Sequence, residues 1–153
     1  MPNFDETDLL LLRELRNNAR ISNKALAARA DIAPSTCLAR VQRLEKSGVI
    51  IGYHAELNPV AIGIGIQAMI AVQLEKHVRK LLESLQEYLL QEEEVLTVYQ
   101  LTGKDDFLVH VAVRDTDDLH NYVLRLVDRP EITRVETHLI YEQNRHPSLP
   151  VYR

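Results

Sequence analysis

The hydrophobic pattern changes period at Ile66, and that change constrains the fold more than any other feature of the chain. Before it, apolar residues recur every three or four positions in three short runs. After it, segments that alternate residue by residue are interleaved with two runs of helical spacing. IQAMIAVQL alternates, VRKLLESLQEYLL carries Leu81, Leu82, Leu85 and Leu89 on one helical face, and EVLTVYQLTG reads as a strand. DFLVHVAV places Phe107, Val109, Val111 and Val113 on one side. TDDLHNYVLRLVD is a second helix, with Thr116 as the expected cap, and ITRVETHLIY a fourth strand. The order βαββαβ predicts a ferredoxin-like sandwich, two helices on one sheet face. The other face is partly apolar (Met69, Leu96, Leu108, Ile140), and such a face invites a second copy of the chain.

The first third predicts three helices. Asp5 caps the first, Asp8 completes a capping box, and Leu9, Leu12 and Leu15 mark its buried face with Leu11 alongside. Ser22 caps NKALAARA, whose Leu26 and Ala30 face inward. After the turn ADIA, Pro34 stands where a missing N–H costs nothing. In PSTCLARVQRLEKSG an apolar stripe (Cys37, Leu38, Val41, Leu44) separates from a polar-basic one (Thr36, Arg40, Arg43). Two short helices, a tight turn and a basic outer face make a helix-turn-helix, because an α-helix fits the major groove and side chains near its start reach base edges. Ser35, Thr36 and Gln42 can hydrogen-bond there, and Ser22 with the N–H groups opening its helix can hold a phosphate. The competing reading is a solvated charged face on a small bundle.

Charge favours the first reading. The formal net charge of −4 hides an asymmetry: residues 1–64 hold eight Lys/Arg and seven Asp/Glu, residues 65–153 ten and fifteen. Between Arg20 and Lys46 six basic residues, Lys24 among them, face only Asp31 and Glu45, so an anionic partner docks there if anywhere. A single cysteine excludes an intrachain disulfide and fits a reducing compartment. No segment approaches the roughly 18–20 apolar residues of a membrane span, and MPNFDETD lacks a signal-peptide layout. A cytoplasmic, nucleoid-associated protein with no membrane partner is expected. Between the halves, Asn58-Pro59 breaks an extended run and Ala61–Gly65 reads as a flexible joint.

TGKDDF, residues 102–107, leaves four readings open: half a metal site, a catalytic pair, a small-molecule pocket, or a tight turn entering a strand. Gly103-Lys104 between two strands makes the hairpin turn the default, and binding loops are often such turns. Nearby residues supply neither a convincing metal set nor a nucleophile.

The stretches DETDLLLLRELRNNARIS, ALAARADIAPSTCLARVQRLEKSGVIIGYHAELNP and VYQLTGKDDFLVHV resemble the Lrp/AsnC family (leucine-responsive regulatory protein and relatives). The resemblance implies an α+β chain: a winged-helix-like helix-turn-helix domain over residues 1–52, a connector over 53–65, a βαββαβ effector and oligomerisation domain over 66–142, and a tail over 143–153. It implies a transcriptional regulator that binds a pseudo-palindromic double-stranded operator. Homodimers are implied, assembled further into tetramers or octamers, with a small effector, typically an amino acid, and no other cofactor. Carried onto this chain, the DNA-facing candidates are Ser35, Thr36, Arg40 and Arg43, to which the reading of the helix start and the basic stretch adds Ser22 and Lys24. The effector set is Tyr99, Leu101, Gly103, Lys104, Asp105, Asp106 and Thr137. Family members often carry Gly at position 31, Ser at 33 and an aromatic at 105, where this chain has Asp31, Ala33 and Asp105. Asp tolerates a left-handed turn, but Ala is a poor cap.

Two other functions compete. An architectural DNA-binding protein without effector would share every N-terminal feature. A haem-pathway decarboxylase on the same layout would call on His77, His110 and His138, which stand isolated in the sequence; the expectation is that the chain is not an enzyme.

Overall fold

Two hydrophobic clusters form, one on each side of the Glu56–Leu57 junction, and they define two compact units. The computed structural model describes residues 4–76 and 78–144. The junction falls inside the expected 53–65 connector, and all but the first two residues of the expected tail lie outside the described residues.

In the first unit, α1 (Glu6–Asn17), α2 (Asn23–Arg29) and α3 (Pro34–Lys46) pack around Leu11, Leu15, Leu26, Ala27 and Cys37. The capping box is present: Asp5 accepts from the Asp8 N–H at 2.8 Å, and the Asp8 carboxylate reaches back to the Asp5 N–H. The inward face of α1, however, is Asp8, Leu11 and Leu15, while Leu9 and Leu12 are only partly buried. Helical periodicity restricted to apolar residues cannot find this stripe, because its first member is a carboxylate. Ser22 caps α2 through the Ala25 N–H. Asp31 turns the chain with φ of 51°, the left-handed conformation expected of it. Ala33, at the start of α3, makes no side-chain cap. Cys37 and Leu44 face inward as expected, but Leu38 is 48% exposed, one step around the helix from the buried stripe.

The second unit opens with a short 3-10 turn, Val60–Ile62, rather than a loose joint. The Asn58 side chain accepts from the Val60 N–H, and the Ile64 N–H bonds to Pro59. Gly65 then lies so close to the Arg114 carbonyl that a Cβ would sit 2.3 Å from its oxygen. Four strands follow the expected order: β1 (Ile66–Leu74), β2 (Val95–Gln100), β3 (Phe107–Val113) and β4 (Ile132–Leu139). They form an antiparallel sheet in the order β2-β3-β1-β4. Helices α4 (Arg79–Leu89) and α5 (Thr116–Val127) cover one face.

Alternation sends Ala68, Ile70, Val72, Leu74, Phe107, Val109, Val111 and Val113 toward Leu85, Leu89, Leu119, Tyr122 and Leu126. Each fully buried large apolar side chain contributes roughly 1.5–3 kcal/mol of transfer free energy, so this cluster dominates the unit. The fold is the ferredoxin-like sandwich. One cap differs from expectation: Asp115, not Thr116, opens α5, accepting from Asp117 and Asp118. A carboxylate one residue earlier satisfies two N–H groups that a threonine hydroxyl at the first helical position does not. On the uncovered face Met69 and Leu108 are partly buried, Leu96 sits at a bulge and is 51% exposed, and Ile140 lies just beyond β4.

Candidate functional site

The exposed side of α3 is set by its buried stripe. With Cys37 and Leu44 inward, the helical period puts Ser35, Ala39, Gln42 and Lys46 directly outward. Thr36 and Arg43 flank them, and Ala39, Gln42, Arg43, Lys46 and Ser47 border one shallow, open stretch of surface. Arg40 is not on that outward line. Its guanidinium bonds Asp5 at 2.6 Å and Asp8 at 2.9 Å, and Arg43 reaches the other Asp8 oxygen at 2.5 Å. The Arg40 guanidinium beside Asp5 holds that carboxyl below its ordinary range, and the Asp5 and Asp8 carboxylates hold Arg40 more firmly protonated. Asp8 is 1% exposed, whereas the Arg43 side chain keeps 58% of its surface in solvent. The Asn23 amide donates to the Pro34 carbonyl at 2.8 Å, tying the start of α2 to the start of α3.

Ser22, Lys24, Ser35, Thr36 and Arg43 are thus exposed on the helix-turn-helix unit, and Arg40 is turned toward α1. Sequence reasoning mentioned Gln42 without placing it and missed Ala39; the angular distance of each from Cys37 would have found both.

After α3 the chain continues without helix or strand through Tyr53, whose hydroxyl donates to Glu45 at 2.8 Å. Partial desolvation first, and then the bond to Glu45, push that phenol up to about 12, although Tyr53 stays 45% exposed.

In the second unit the hairpin between β2 and β3 is held from inside. The Leu101 N–H bonds to the Asp106 carbonyl, and the Asp106 N–H to Val72. The Asp106 carboxylate accepts the Leu74 N–H at 2.8 Å, and the residue is only 6% exposed. Asp106 therefore anchors the hairpin to β1 instead of presenting a free carboxylate. Gly103 takes φ of 127°, a conformation side chains resist, and leaves the backbone open. Lys104 is exposed and Asp105 half-buried.

Lys104 reaches over the uncovered face to Glu136 on β4 at 3.8 Å. Glu136 is held below the usual carboxylate range first by its bond to Arg134, then by Lys104 and His138. Glu136 was absent from the sequence-level set because only the pairing of β4 with Ala71 brings it near. Tyr99 pairs with Leu108 on that same face, and both Tyr99 and Leu101 are exposed. Thr137 pairs with Ile70 and so points to the helix side, away from Tyr99.

Of the three histidines raised for catalysis, His77 lies outside the described residues. His110 contacts Gln67 at 2.9 Å, and His138 flanks Met69 on the other side of β1. Among the described residues no group of three His, Cys, Asp or Glu could hold a metal, and no helix is long and apolar enough to cross a membrane.

Residues 4–51 match the family of winged helix-turn-helix DNA-binding domains, and residues 67–148 match the Lrp/AsnC ligand-binding domain. The chain belongs to the Lrp/AsnC family. It is similar to the HTH-type transcriptional regulator AldR of Mycolicibacterium smegmatis, with 41% identity covering 95% of this chain and 85% of that protein. Among solved structures, MtbAldR superimposes with a TM-score of 0.79 at 37% identity, covering 96% of this chain and 97% of that one. A transcriptional regulator from Neisseria meningitidis, solved as an L-Met complex, gives 0.87 at 28% identity over 94% of both chains. This Lrp/AsnC protein is therefore a transcriptional regulator with a helix-turn-helix DNA-binding unit and a ligand-binding unit. The two exposed features, the outer face of α3 and the β2–β3 hairpin, fall one in each of these matched regions.

Proposed function

We propose that the protein binds a pseudo-palindromic operator as a homodimer or a larger even assembly, and that an α-amino acid modulates this binding. The observation that carries the DNA half is the outward line Ser35, Ala39, Gln42 and Lys46, flanked by Thr36 and Arg43. Gln42 has the donor and acceptor an adenine edge requires, and Ala39 leaves room for a thymine methyl. Ser22, Lys24, Lys46 and Arg43 meet phosphates, which position the helix without reading sequence.

The effector half rests on the hairpin. Lys104 and the half-buried Glu136, which also bonds Arg134, form a loose pair of opposite charges, matching the ammonium and carboxylate of a zwitterion. Asp105 adds a second acceptor, Gly103 opens backbone N–H to the ligand, and Tyr99 and Leu101 offer apolar surface. The regulator solved with L-Met supports this ligand class. Asp106 supports the hairpin from behind, and Thr137 joins only if the ligand wraps the β4 edge. A cytoplasmic location follows from a DNA target. The uncovered sheet face, with Met69 and Leu108, is the surface on which a second copy would sit.

Selection of a preferred duplex from random sequence tests the DNA reading. Gln42→Ala should then cost roughly 1–3 kcal/mol at one base pair per half-site and leave the others intact. A uniform loss across all positions would remove Gln42 from the reading set.

A further inference from the structure

We infer that Asp8 sets which charges of the reading helix DNA can use: it withdraws Arg40, and restrains Arg43, so that the helix presents fewer phosphate contacts than its basic sequence suggests. The inference deepens the proposed DNA reading and rests on it.

Both Asp8 oxygens are occupied, one by Arg40 at 2.9 Å and one by Arg43 at 2.5 Å, and the residue is 1% exposed. Removing either partner would leave a buried carboxylate less compensated, which low-dielectric surroundings penalise strongly. A phosphate at the surface is screened and hydrated, and so competes poorly for a guanidinium already held this way. Arg40 is held twice, since Asp5 takes the same nitrogen at 2.6 Å. Arg43, more exposed, can share itself with DNA.

The clamp has a second consequence. Ala33 leaves α3 without a side-chain cap, and the Asn23–Pro34 bond ties the start of the helix to α2. Two arginines one turn apart, gripping one carboxylate on α1, fix the rotation of α3 about its axis and hold Gln42 outward. Asp8 is thus a positioning residue, acting through Arg40 and Arg43.

The test is the salt dependence of binding to a labelled mixed-sequence duplex, measured by anisotropy on the full chain. Asp8→Asn frees Arg43 while Asp5 still holds Arg40, so the slope of log K against log salt should steepen by up to about one, with tighter binding at low salt. Arg40→Ala alone should leave the slope unchanged, because Arg40 touches no phosphate. A scaffold role alone would weaken binding without steepening the slope. An unchanged or shallower slope for Asp8→Asn overturns the inference, as does a slope reduced by about one for Arg40→Ala. If Asp8→Asn fails to fold, Arg40→Ala still decides. Failure of the unaltered protein to bind the duplex at low salt would instead refute the DNA reading beneath it.

Discussion

Each unit buries one aspartate beside its functional element, and the two are held in different ways. Asp8, 1% exposed, is held by two arginine side chains from the helix that it orients. Asp106, 6% exposed, is held by a backbone N–H of the neighbouring strand and fixes the hairpin. In the first case the restrained groups are charges that DNA would otherwise take. In the second they are backbone atoms, and the loop side chains remain at the surface, Lys104 exposed and Asp105 half-buried. A buried acid can therefore prepare a binding surface without belonging to it.

The comparison breaks first at Asp106. Asp106→Ala leaves the Leu74 N–H without its acceptor, and urea unfolding should show a loss of about 1–3 kcal/mol. Asp106→Asn keeps an acceptor and should lose markedly less. Equal losses would mean that charge, not the hydrogen bond, holds the hairpin, making the two aspartates more alike. A smaller effect sharpens the other side. Ala33→Ser supplies the cap that α3 lacks and should raise stability by about 0.5–1 kcal/mol, read as a higher urea midpoint. No gain would mean that the Asn23–Pro34 bond and the Asp8 clamp already fix the start of α3.

The elements were legible in the sequence because their signals are local: the period change at Ile66, the capping box at Asp5 and Asp8, Pro34, and the alternation of β3. The order of helices and strands along the chain followed from them. The reading was incomplete where a residue's surroundings depend on distant partners. Asp8 was seen as a cap but not as an inward residue, since the arginines it meets lie 32 and 35 positions away. Arg40 was assigned to DNA from its helical face alone. Asp106 was given a ligand role that its bond to Leu74, 32 positions away, argues against. Glu136 was invisible without the β1–β4 register, which also sends Thr137 to the opposite face. Caps and periods are written in neighbours; ion clamps and loop anchors are written in pairings.

On the proposed reading, a hairpin anchored by Asp106 presents Lys104 and Asp105 to an amino acid. Thermal shift of the full chain against the twenty amino acids, repeated with Asp105→Ala and Asp106→Asn, tests it most directly, because a ligand of the native state raises its apparent stability. At least one amino acid should raise the midpoint at millimolar concentration. Asp105→Ala should lose the shift, and Asp106→Asn should keep it on a slightly lower baseline. No shift with any amino acid while DNA binding stays intact, or a shift untouched by Asp105→Ala, would contradict it.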